Sequence, residues 1–199
     1  MTPGQKRALD EAWPQFGLNT SDGLINMKAL FPVGPVVLEI GFGMGDSLLQ
    51  MASEQPDVNF IGVEVHRPGV GHLLNRVLDA GLKNIRVFAE DSIDVLRDTI
   101  PDNGLDKIQI FFPDPWHKKK HHKRRLINDD FAQLLGQKLK PQGILHIATD
   151  WQNYAESIAE TFHSWPKAPV PARVETKYER RGKRLDHDVF DFAFYKPEV

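Results

Sequence analysis

Residues 36–46 read VVLEIGFGMGD, and this stretch decides the fold. The mostly apolar run at 36–40 predicts a buried strand. The glycines at 41, 43 and 45 predict a tight turn, and the helical spacing of the apolar residues that follow predicts a helix beginning at Asp46. A strand that passes through a glycine turn into a helix is typical of a Rossmann-like sheet, where ligands bind beyond the carboxyl ends of the strands.

Further apolar runs, each followed by a helical pattern, repeat this unit along the chain. They cover residues 60–63, 85–89, 108–112 and 144–148. Such alternation predicts a parallel sheet with crossover helices. After a proline-rich stretch, residues 172–179 and 189–195 have strand character with no helix between them, which predicts a C-terminal antiparallel hairpin. We expect a single α/β domain over residues 1–199, with 1–30 as an N-terminal extension packed on the core.

The bulk composition of the 199 residues excludes several classes of protein. No apolar run approaches the roughly 20 residues that span a bilayer. The N-terminus also lacks the apolar core of a signal peptide, so we expect a cytoplasmic protein with no membrane partner. The absence of cysteine excludes disulfides, thiolate metal sites and a cysteine nucleophile. The net charge of −2 alone disfavours nucleic acid, but residues 118–125 read KKKHHKRR, and such a local patch can still attract a polyanion.

Acidic side chains stand at or just beyond the ends of the predicted parallel strands. They are Glu39, Glu64, Asp91, Asp114 and Asp150. Because the carboxyl ends of parallel strands meet at one edge of the sheet, we expect these carboxylates to converge on one crevice. The alternative is that acids simply cap helix N-termini. That alternative explains Asp91 well and Glu39 poorly, since Glu39 precedes the glycine turn.

The glycine turn is the candidate cofactor loop, formed by Gly41, Gly43 and Gly45. A dinucleotide fingerprint has the spacing G-x-G-x-x-G, and Asp46 stands where its third glycine would be. A carboxylate at Glu39 would repel a pyrophosphate but suits S-adenosyl-L-methionine, which carries an ammonium and a sulfonium. We therefore favour this cofactor over the alternatives, NAD and a glycine turn that merely packs.

The other two carboxylates complete this cofactor hypothesis. Glu64 would bind the ribose hydroxyls, as the acidic residue at this place does in dinucleotide folds. Asp91 would reach the adenine amino group. The expected fold is thus the class I S-adenosyl-L-methionine-dependent methyltransferase variant of the Rossmann fold, with a mostly parallel seven-stranded sheet and a C-terminal antiparallel hairpin.

The segment after the strand at 108–112 carries the candidate chemistry and begins Pro113-Asp114-Pro115-Trp116-His117. Two prolines fix the backbone around Asp114. Trp116 either offers a stacking face to a base or packs into the core. Basic side chains follow directly and predict phosphate binding beside the crevice. They are Lys118, Lys119, Lys120, Lys123, Arg124 and Arg125.

Three histidines, His117, His121 and His122, lie in the same segment. The spacing of His117 and His121 suits one helix face, but no glutamate accompanies them as in H-E-x-x-H. We therefore expect no metal site and assign these histidines to an RNA-binding loop. The cationic stretch 176–184 is either a charged hairpin turn or a base-binding segment, in which Thr176 and Glu179 bind a guanine edge.

Together these motifs resemble the bacterial tRNA (guanine-N7-)-methyltransferases over most of the chain, from about Trp13 to Asp191. The resemblance rests on VLEIGFGMGDSLL, GVEVHRPGV, FFPDPWHKKKHHKRR, TDWQNYA and TKYERRGKRL. The segment around PDPWHKKKH is the most specific of these. One departure is Asp186, which stands where the family usually has glycine.

The resemblance implies a role for each candidate residue. Glu39, Glu64, Asp91 and Asp114 would line the cofactor site with the glycine turn, and Asp114 would also be catalytic. Substrate contacts would come from Lys118, Asp150, Thr176, Lys177, Tyr178 and Glu179. RNA contacts would come from Lys120, His121, His122, Lys123, Arg124 and Arg125. The implied partner is tRNA, and the implied target is N7 of a guanine in its variable loop.

Guanine N7 has a lone pair and no proton to lose, so the reaction needs no obligatory base. Asp114 would stabilise the cationic product ring or orient the guanine. The alternatives are methylation of another RNA site or a small molecule, a non-catalytic RNA-binding protein that retains the cofactor, and an NAD-dependent oxidoreductase. The sequence leaves open whether the protein is a monomer or a homodimer.

Overall fold

The computed structural model describes residues 1–174, 179 and 188–198 of the chain, and this part contains one sheet of seven strands. The strands are β1 (Gly17–Leu18), β2 (Val36–Ile40), β3 (Asn59–Val63), β4 (Ile85–Phe88), β5 (Leu105–Phe111), β6 (Leu139–Thr149) and β7 (Phe190–Tyr195). Their order is β1-β4-β3-β2-β5-β6-β7. All neighbours are parallel except the antiparallel pair β6 and β7. The predicted α/β class and mostly parallel seven-stranded sheet are confirmed.

Helices cover both faces of this sheet. They are α1 (Pro3–Phe16), α2 (Met27–Leu30), α3 (Asp46–Glu54), α4 (Arg67–Ala80), α5 (Ser92–Asp98), α6 (Asp129–Lys138) and α7 (Gln152–Thr161). Apolar side chains of α1, α3 and α4 pack on one face, and those of α5, α6 and α7 pack on the other. Cover on both faces explains why β2 and β3 are buried along their whole length.

The helix ends follow their sequence signals. Helix α4 ends at Gly81, which adopts a φ of +65°. Asp91 caps α5 by accepting a hydrogen bond from the backbone N of Ile93 at 2.8 Å. The same capping rule places α6 after Asn128. Helix α6 stops at Lys138, and Leu139 begins β6.

The C-terminal antiparallel arrangement is confirmed, but the strand paired with β7 differs from the one that the sequence predicts. Strand β7 pairs with β6, from Ile144 opposite Tyr195 to Thr149 opposite Phe190. Residues 172–174, the described start of the other predicted strand, lie outside any strand. The free edge of β6 offers β7 a long partner beside the core, so β7 does not need a hairpin partner. The remaining member of the seven is β1.

The outer edge of β7 is covered by the segment before it. The backbone N of Tyr195 donates to the Pro166 carbonyl at 2.8 Å, and the backbone N of Ala168 donates to the Ala193 carbonyl at 2.9 Å. Lys167 forms an antiparallel bridge with Phe194 between these two bonds. Part of the edge strand is therefore paired although no eighth strand forms in the described part of the chain.

The N-terminal residues pack closely on α4 and β4. Thr2 and Gln5 form a capping box at the start of α1. A Cβ on Gly71 of α4 would come within 2.5 Å of the Gln5 carbonyl oxygen, so only glycine permits this approach. Helix α1 then leads into β1, which pairs in parallel with β4.

The strand order reverses at the centre of the sheet. From β2 the chain moves outwards to β3 and β4, and then returns to β5 on the other side of β2. A crevice forms at the carboxyl ends of strands where the order reverses. The glycine turn after β2 and the PDPW segment after β5 therefore face each other across this crevice.

Candidate active site

A cleft of about 650 Å³ occupies the crevice beyond β2, β3 and β5. Among the predicted cofactor residues, those that line it are Gly41, Gly43, Glu64, Asp91 and Asp114. A fourth lining carboxylate, Glu90, was not singled out from the sequence. Apart from the imidazole of His66, the basic side chain in this lining is that of Arg124. The cleft is therefore acidic.

The three glycines of the turn differ in what they do. Gly41, Gly43 and Gly45 have φ values of +75°, +60° and +78°, which side-chain-bearing residues rarely adopt. A Cβ on Gly41 would meet nothing within 4 Å, so it would project into open space beside the cleft. A Cβ on Gly45 would instead collide with Leu73 at 2.9 Å. Gly45 starts α3 and stays outside the cleft lining, and its predicted cofactor contact stays a prediction.

Glu64 is held at the end of β3 by backbone donors. Its Oε2 accepts a hydrogen bond from the backbone N of Gly43 at 2.8 Å, and its Oε1 accepts one from His66 at 2.8 Å. Each carboxylate oxygen still has a lone pair for a second donor. The carboxylate is therefore fixed in direction and still able to accept hydroxyl donors from a ribose.

Glu39 lies in a different environment from Glu64. It is buried within the sheet and outside the cleft lining, and its Oε2 accepts a hydrogen bond from Nε2 of Gln109 at 2.8 Å. Burial raises the pKa of Glu39 to about 7, against the lowering effect of the Gln109 hydrogen bond and the charge of Lys107. Direct binding of the cofactor by Glu39 stays a prediction that its location in this structure does not favour.

The rim next to β4 combines Glu90 and Asp91. The two carboxylate oxygens of Glu90 both accept from the backbone N of Thr20 at 3.2 Å. This contact joins the segment after β1 to the cleft. Asp91 uses one oxygen to cap α5, as described above, and is otherwise exposed at the cleft.

Asp114 lies in a segment whose backbone is strained at both ends. Phe112 and Trp116 adopt φ values of +53° and +47°, which are unusual for residues other than glycine and often occur at functional sites. Asp114 is exposed and borders both the main cleft and a second cavity of about 360 Å³. The second cavity is lined by Asp114, Pro115, Trp116, His117, Lys118 and His121.

Trp116 separates the two cavities and is not a core residue. The guanidinium of Arg124 lies 5.1 Å from the centroid of its ring, and His121 meets it edge-on at 6.0 Å. The ring of His117 packs against Trp151 at 4.2 Å. His117 and His121 thus serve as aromatic neighbours, and no group of three or more potential metal ligands occurs in the described residues.

The basic segment forms a 3-10 helix over Lys119–Arg124 directly beyond the second cavity. Lys118, Lys119, Lys120, Lys123 and Arg124 are exposed. His121 and His122 are half-buried, and His122 borders the groove between α6 and α7. The exposed cations form a surface next to the mouth of the site, which we call the basic segment.

Arg125 was predicted to bind RNA, and this contact stays a prediction that its location in this structure does not favour. It is buried, with Nε donating to the Pro115 carbonyl at 2.8 Å and Nη2 donating to Oδ1 of Asn153 at 2.9 Å. Its guanidinium also lies 4.6 Å from the ring centroid of Tyr154. Arg125 therefore holds the PDPW segment on α7. Arg124, its neighbour, is the exposed one because the 3-10 helix ends between them.

The remaining predicted substrate residues are only partly described. Asp150 directly follows β6 at the same edge of the sheet and is half-buried. Thr176, Lys177 and Tyr178 lie outside the described residues, as does Asp186. Glu179 is buried, and its Oε2 accepts from Nη1 of Arg173.

Two features of this region were missed from the sequence: the ion pair of Arg173 with Asp191, and the contact of Asp191 with His146. Arg173 forms two hydrogen bonds with Asp191, whose Oδ1 also lies 2.9 Å from Nε2 of His146. A signal did exist, since Gln109 and His146 are polar residues within otherwise apolar runs of β5 and β6, at 108–111 and 144–148.

The cleft fits S-adenosyl-L-methionine better than a dinucleotide. Its lining carboxylates would bind the ammonium, the sulfonium and the ribose, whereas a pyrophosphate would face repulsion from four acids. The open space in front of Gly41 leaves room for the ligand backbone. None of the helices in the described part of the chain has the length and apolar character needed to cross a lipid bilayer.

Residues 33–192 match a family model described as "Putative methyltransferase". The 16S rRNA methyltransferase KamB shares the fold with a TM-score of 0.66 at 13% identity, over 88% of this chain and 95% of its own. Fold and cleft thus define an S-adenosyl-L-methionine-dependent methyltransferase. The chain is 50% identical to the tRNA (guanine-N(7)-)-methyltransferase of Alcanivorax borkumensis over 98% of this chain and 87% of the relative. Identity to the enzyme of that name from Pseudomonas aeruginosa is also 50%, with coverages of 98% and 84%. The chain belongs to the family of bacterial tRNA (guanine-N7-)-methyltransferases.

Proposed function

We propose that this protein transfers the methyl group of S-adenosyl-L-methionine to N7 of a guanine in the variable loop of tRNA. The observation that carries the proposal is the position of Asp114, which borders both the acidic cleft and the cavity beside the basic segment. We also propose that residues 1–199 act as one domain and that the protein works in the cytoplasm, where tRNA is modified in bacteria.

The donor half of the site consists of the cleft between β2 and β5. Glu64, fixed by two backbone donors, would accept the ribose hydroxyls. Asp91, exposed at the opposite rim, would accept from the adenine amino group. When bound, S-adenosyl-L-methionine supplies a methyl group on a sulfonium sulfur, and N7 takes this group in line as the carbon–sulfur bond breaks.

The acceptor half consists of the second cavity and its neighbours. Lys118 and Trp116 line the cavity, so a charge and an aromatic face are both available to a guanine base. Two strained residues hold the segment between them in one shape. This rigidity supports the alignment of N7 with the donor, which is the main requirement of the reaction.

Asp114 would act through its charge. N7 carries no proton, so no base is needed at that atom, and the guanine ring becomes cationic as the bond forms. A carboxylate at this place stabilises that developing charge and can also accept hydrogen bonds from the N–H groups at the guanine edge. Preorganised groups of this kind contribute roughly 10²–10³ in rate.

The basic segment would bind the tRNA backbone. Lys119, Lys120 and Lys123 are exposed beside the cavity, where phosphates that flank the target nucleotide would lie. Phosphate contacts fix the position of the RNA without reading its sequence. The choice of guanine is then left to the cavity itself.

Methyl transfer from labelled S-adenosyl-L-methionine to unmodified tRNA transcripts tests the proposal. We expect labelled 7-methylguanosine in the variable loop, and no label when that guanine is replaced by adenine. Label in another nucleoside would reassign the target atom. Cofactor binding without any label in tRNA would overturn the substrate, and a panel of other RNAs and small acceptors would then be assayed.

A further inference from the structure

The guanidinium of Arg173 lies among Glu179, Asp191 and the aromatic rings at the end of β5. Its side chain is only 7% exposed. Nε donates to Oδ1 of Asp191 at 2.9 Å and Nη2 donates to Oδ2 at 2.8 Å, so the two groups form a planar bidentate pair. Nη1 donates to Oε2 of Glu179. All three guanidinium nitrogens are thus engaged by two carboxylates.

Asp191 is itself held in place from the sheet. Its Oδ1 lies 2.9 Å from Nε2 of His146, which is fully buried in β6. Burial alone would raise the pKa of Asp191, but the hydrogen bonds of His146 and Arg173 outweigh it and hold the pKa well below its ordinary value. Asp191 therefore stays ionised and supports Arg173 from the rigid edge of the sheet.

The other face of the guanidinium contacts the end of β5. Its carbon lies 5.4 Å from the ring centroid of Phe111 and 5.5 Å from that of Phe112. Phe112 has a φ of +53° and is separated from Asp114 by one proline. The direction in which the chain leaves β5, and with it the place of Asp114, depends on how these two rings pack.

We propose that Arg173 is a positioning residue for methyl transfer, which holds the Asp114 segment and Glu179 in one arrangement. The inference rests on the proposed function, in which Asp114 acts on the guanine, and on the substrate contact that the family resemblance implies for Glu179. A single rigid group in contact with Phe112 and Glu179 ties both to the sheet through Asp191. Lysine has the charge of arginine but lacks its fork, so it cannot make the three bonds at once.

A simpler role would be a plain structural ion pair that only stabilises the fold. Buried ion pairs of this kind often add little net stability, so stability alone does not account for the arrangement. The matched control is Lys138, whose side chain is also 7% exposed and donates to Oδ1 of Asp102 at 2.7 Å. This pair joins the chain near the amino ends of β5 and β6, at the opposite edge of the sheet from the site.

The experiment compares Arg173→Met, Arg173→Lys and Lys138→Met with the wild type. The measurements are kcat and KM for tRNA, the Kd of S-adenosylhomocysteine, and the midpoint of thermal unfolding. For Arg173→Met we expect kcat to fall about 100-fold, the size of loss that a small misplacement of reacting groups causes, with the Kd unchanged. Arg173→Lys should recover thermal stability to a greater extent than kcat. Lys138→Met should lower the unfolding midpoint and leave kcat near the wild-type value.

Two results would overturn the inference: near-normal kcat in Arg173→Met, or a loss of kcat in Lys138→Met equal to that in Arg173→Met. If Arg173→Met does not fold, Asp191→Asn replaces it, since this change weakens the bidentate pair and preserves shape. Near-normal kcat in a folded Asp191→Asn variant is then the overturning result. A wild type that methylates no tRNA would instead contradict the proposed function itself, so the two failures are distinguishable.

Discussion

The donor end and the acceptor end of the site are built in different ways. At the donor end, Gly41, Glu64 and Asp91 each lie at a strand end and are fixed by hydrogen bonds within a few residues or between adjacent strands. At the acceptor end, Pro115 and Glu179 accept hydrogen bonds from the guanidinium groups of Arg125 and Arg173, which also bond Asn153 of α7 and Asp191 of β7. The donor end is thus fixed mainly by backbone groups at the strand ends, whereas the acceptor end is fixed by side chains that bridge separate elements of the fold.

The largest effect should come from the junction of the two ends. We expect Asp114→Asn to lower kcat by about 10²–10³, because it removes the negative charge from beside the developing cation. Cofactor affinity should change little, since Glu64 and Asp91 remain. Steady-state kinetics on tRNA and calorimetric titration with S-adenosylhomocysteine measure the two quantities. Asp57→Asn, at the amino end of β3, is the control. If Asp114→Asn lost cofactor affinity to the same extent as kcat, Asp114 would act in binding the cofactor alone.

The pH dependence of stability tests whether the Glu39 carboxyl is buried inside the sheet rather than exposed to the cleft. Burial holds the pKa of Glu39 at about 7, so the folded protein retains this proton up to about pH 7, whereas the unfolded chain loses it near the ordinary value of 4.5. Between these values the folded state binds more protons, so stability falls as pH rises and the loss is complete above pH 7. Glu39→Gln should remove about 3 kcal/mol of this decline, at 1.36 kcal/mol per pKa unit.

Urea unfolding of both proteins at pH 5 and pH 8 checks this expectation. Exposed Glu54 provides the control, because Glu54→Gln should leave the pH dependence unaltered. An identical pH dependence in wild type and Glu39→Gln would mean that the Glu39 carboxylate is hydrated or paired in solution, which would bring it back as a candidate ligand of the cofactor.

Glu64 tests the donor end alone. In Glu64→Gln the amide has one acceptor oxygen, so its NH₂ group would face a backbone N–H of Gly43 or His66. We expect the Kd for S-adenosylhomocysteine to rise about 10- to 100-fold, the range for a lost hydrogen bond to a charged group. Binding of tRNA, measured separately without cofactor, should be unaffected. Weakened tRNA binding would show that the two ends are coupled already in the absence of the donor.

The smallest effect should come from the basic segment. Lys119→Gln combined with Lys120→Gln should lower tRNA affinity and reduce the slope of log K against log salt by about 1.4–1.8, from 0.7–0.9 per phosphate contact. The matched control combines Lys28→Gln with Lys83→Gln, which are exposed at other places on the surface. Filter binding between low and high salt provides the slopes, and equal slopes for the two double variants would remove RNA contact from Lys119 and Lys120.

This difference between the two ends also explains what the sequence could predict. The parallel strands, the glycine turn, the cap at Asp91 and the alternation of strands with helices follow from local sequence patterns, and the structure confirms them. Arg124 and Arg125 are neighbours in a run of cations, and only the end of the 3-10 helix decides which one is buried. The sequence pattern does not show where this 3-10 helix ends.

The features that the sequence did not predict have one physical origin in common. Strand β1 has only two residues and forms by pairing with the edge of β4. It is too short to be recognised from a run of apolar residues. The location of Glu39 inside the sheet depends on Gln109 lying opposite it in the register of β2 and β5. The role of Arg173 depends on its pairing with Asp191, which lies 18 positions away in β7. Each of these depends on pairing between distant parts of the chain.

The way in which the two edges of the sheet are covered affects the tendency of the protein to aggregate at high concentration. Strand β7 reads FDFAFY and is rich in aromatic residues, a composition that readily recruits strands from other molecules. Residues 166–168 occupy part of its outer backbone groups, with a proline that cannot donate, and at the far side β1 leaves a rim only two residues long. Few backbone groups at either edge of the sheet are free to pair with a strand from another molecule. The aromatic strand β7 can therefore occupy an edge of the sheet without causing polymerisation.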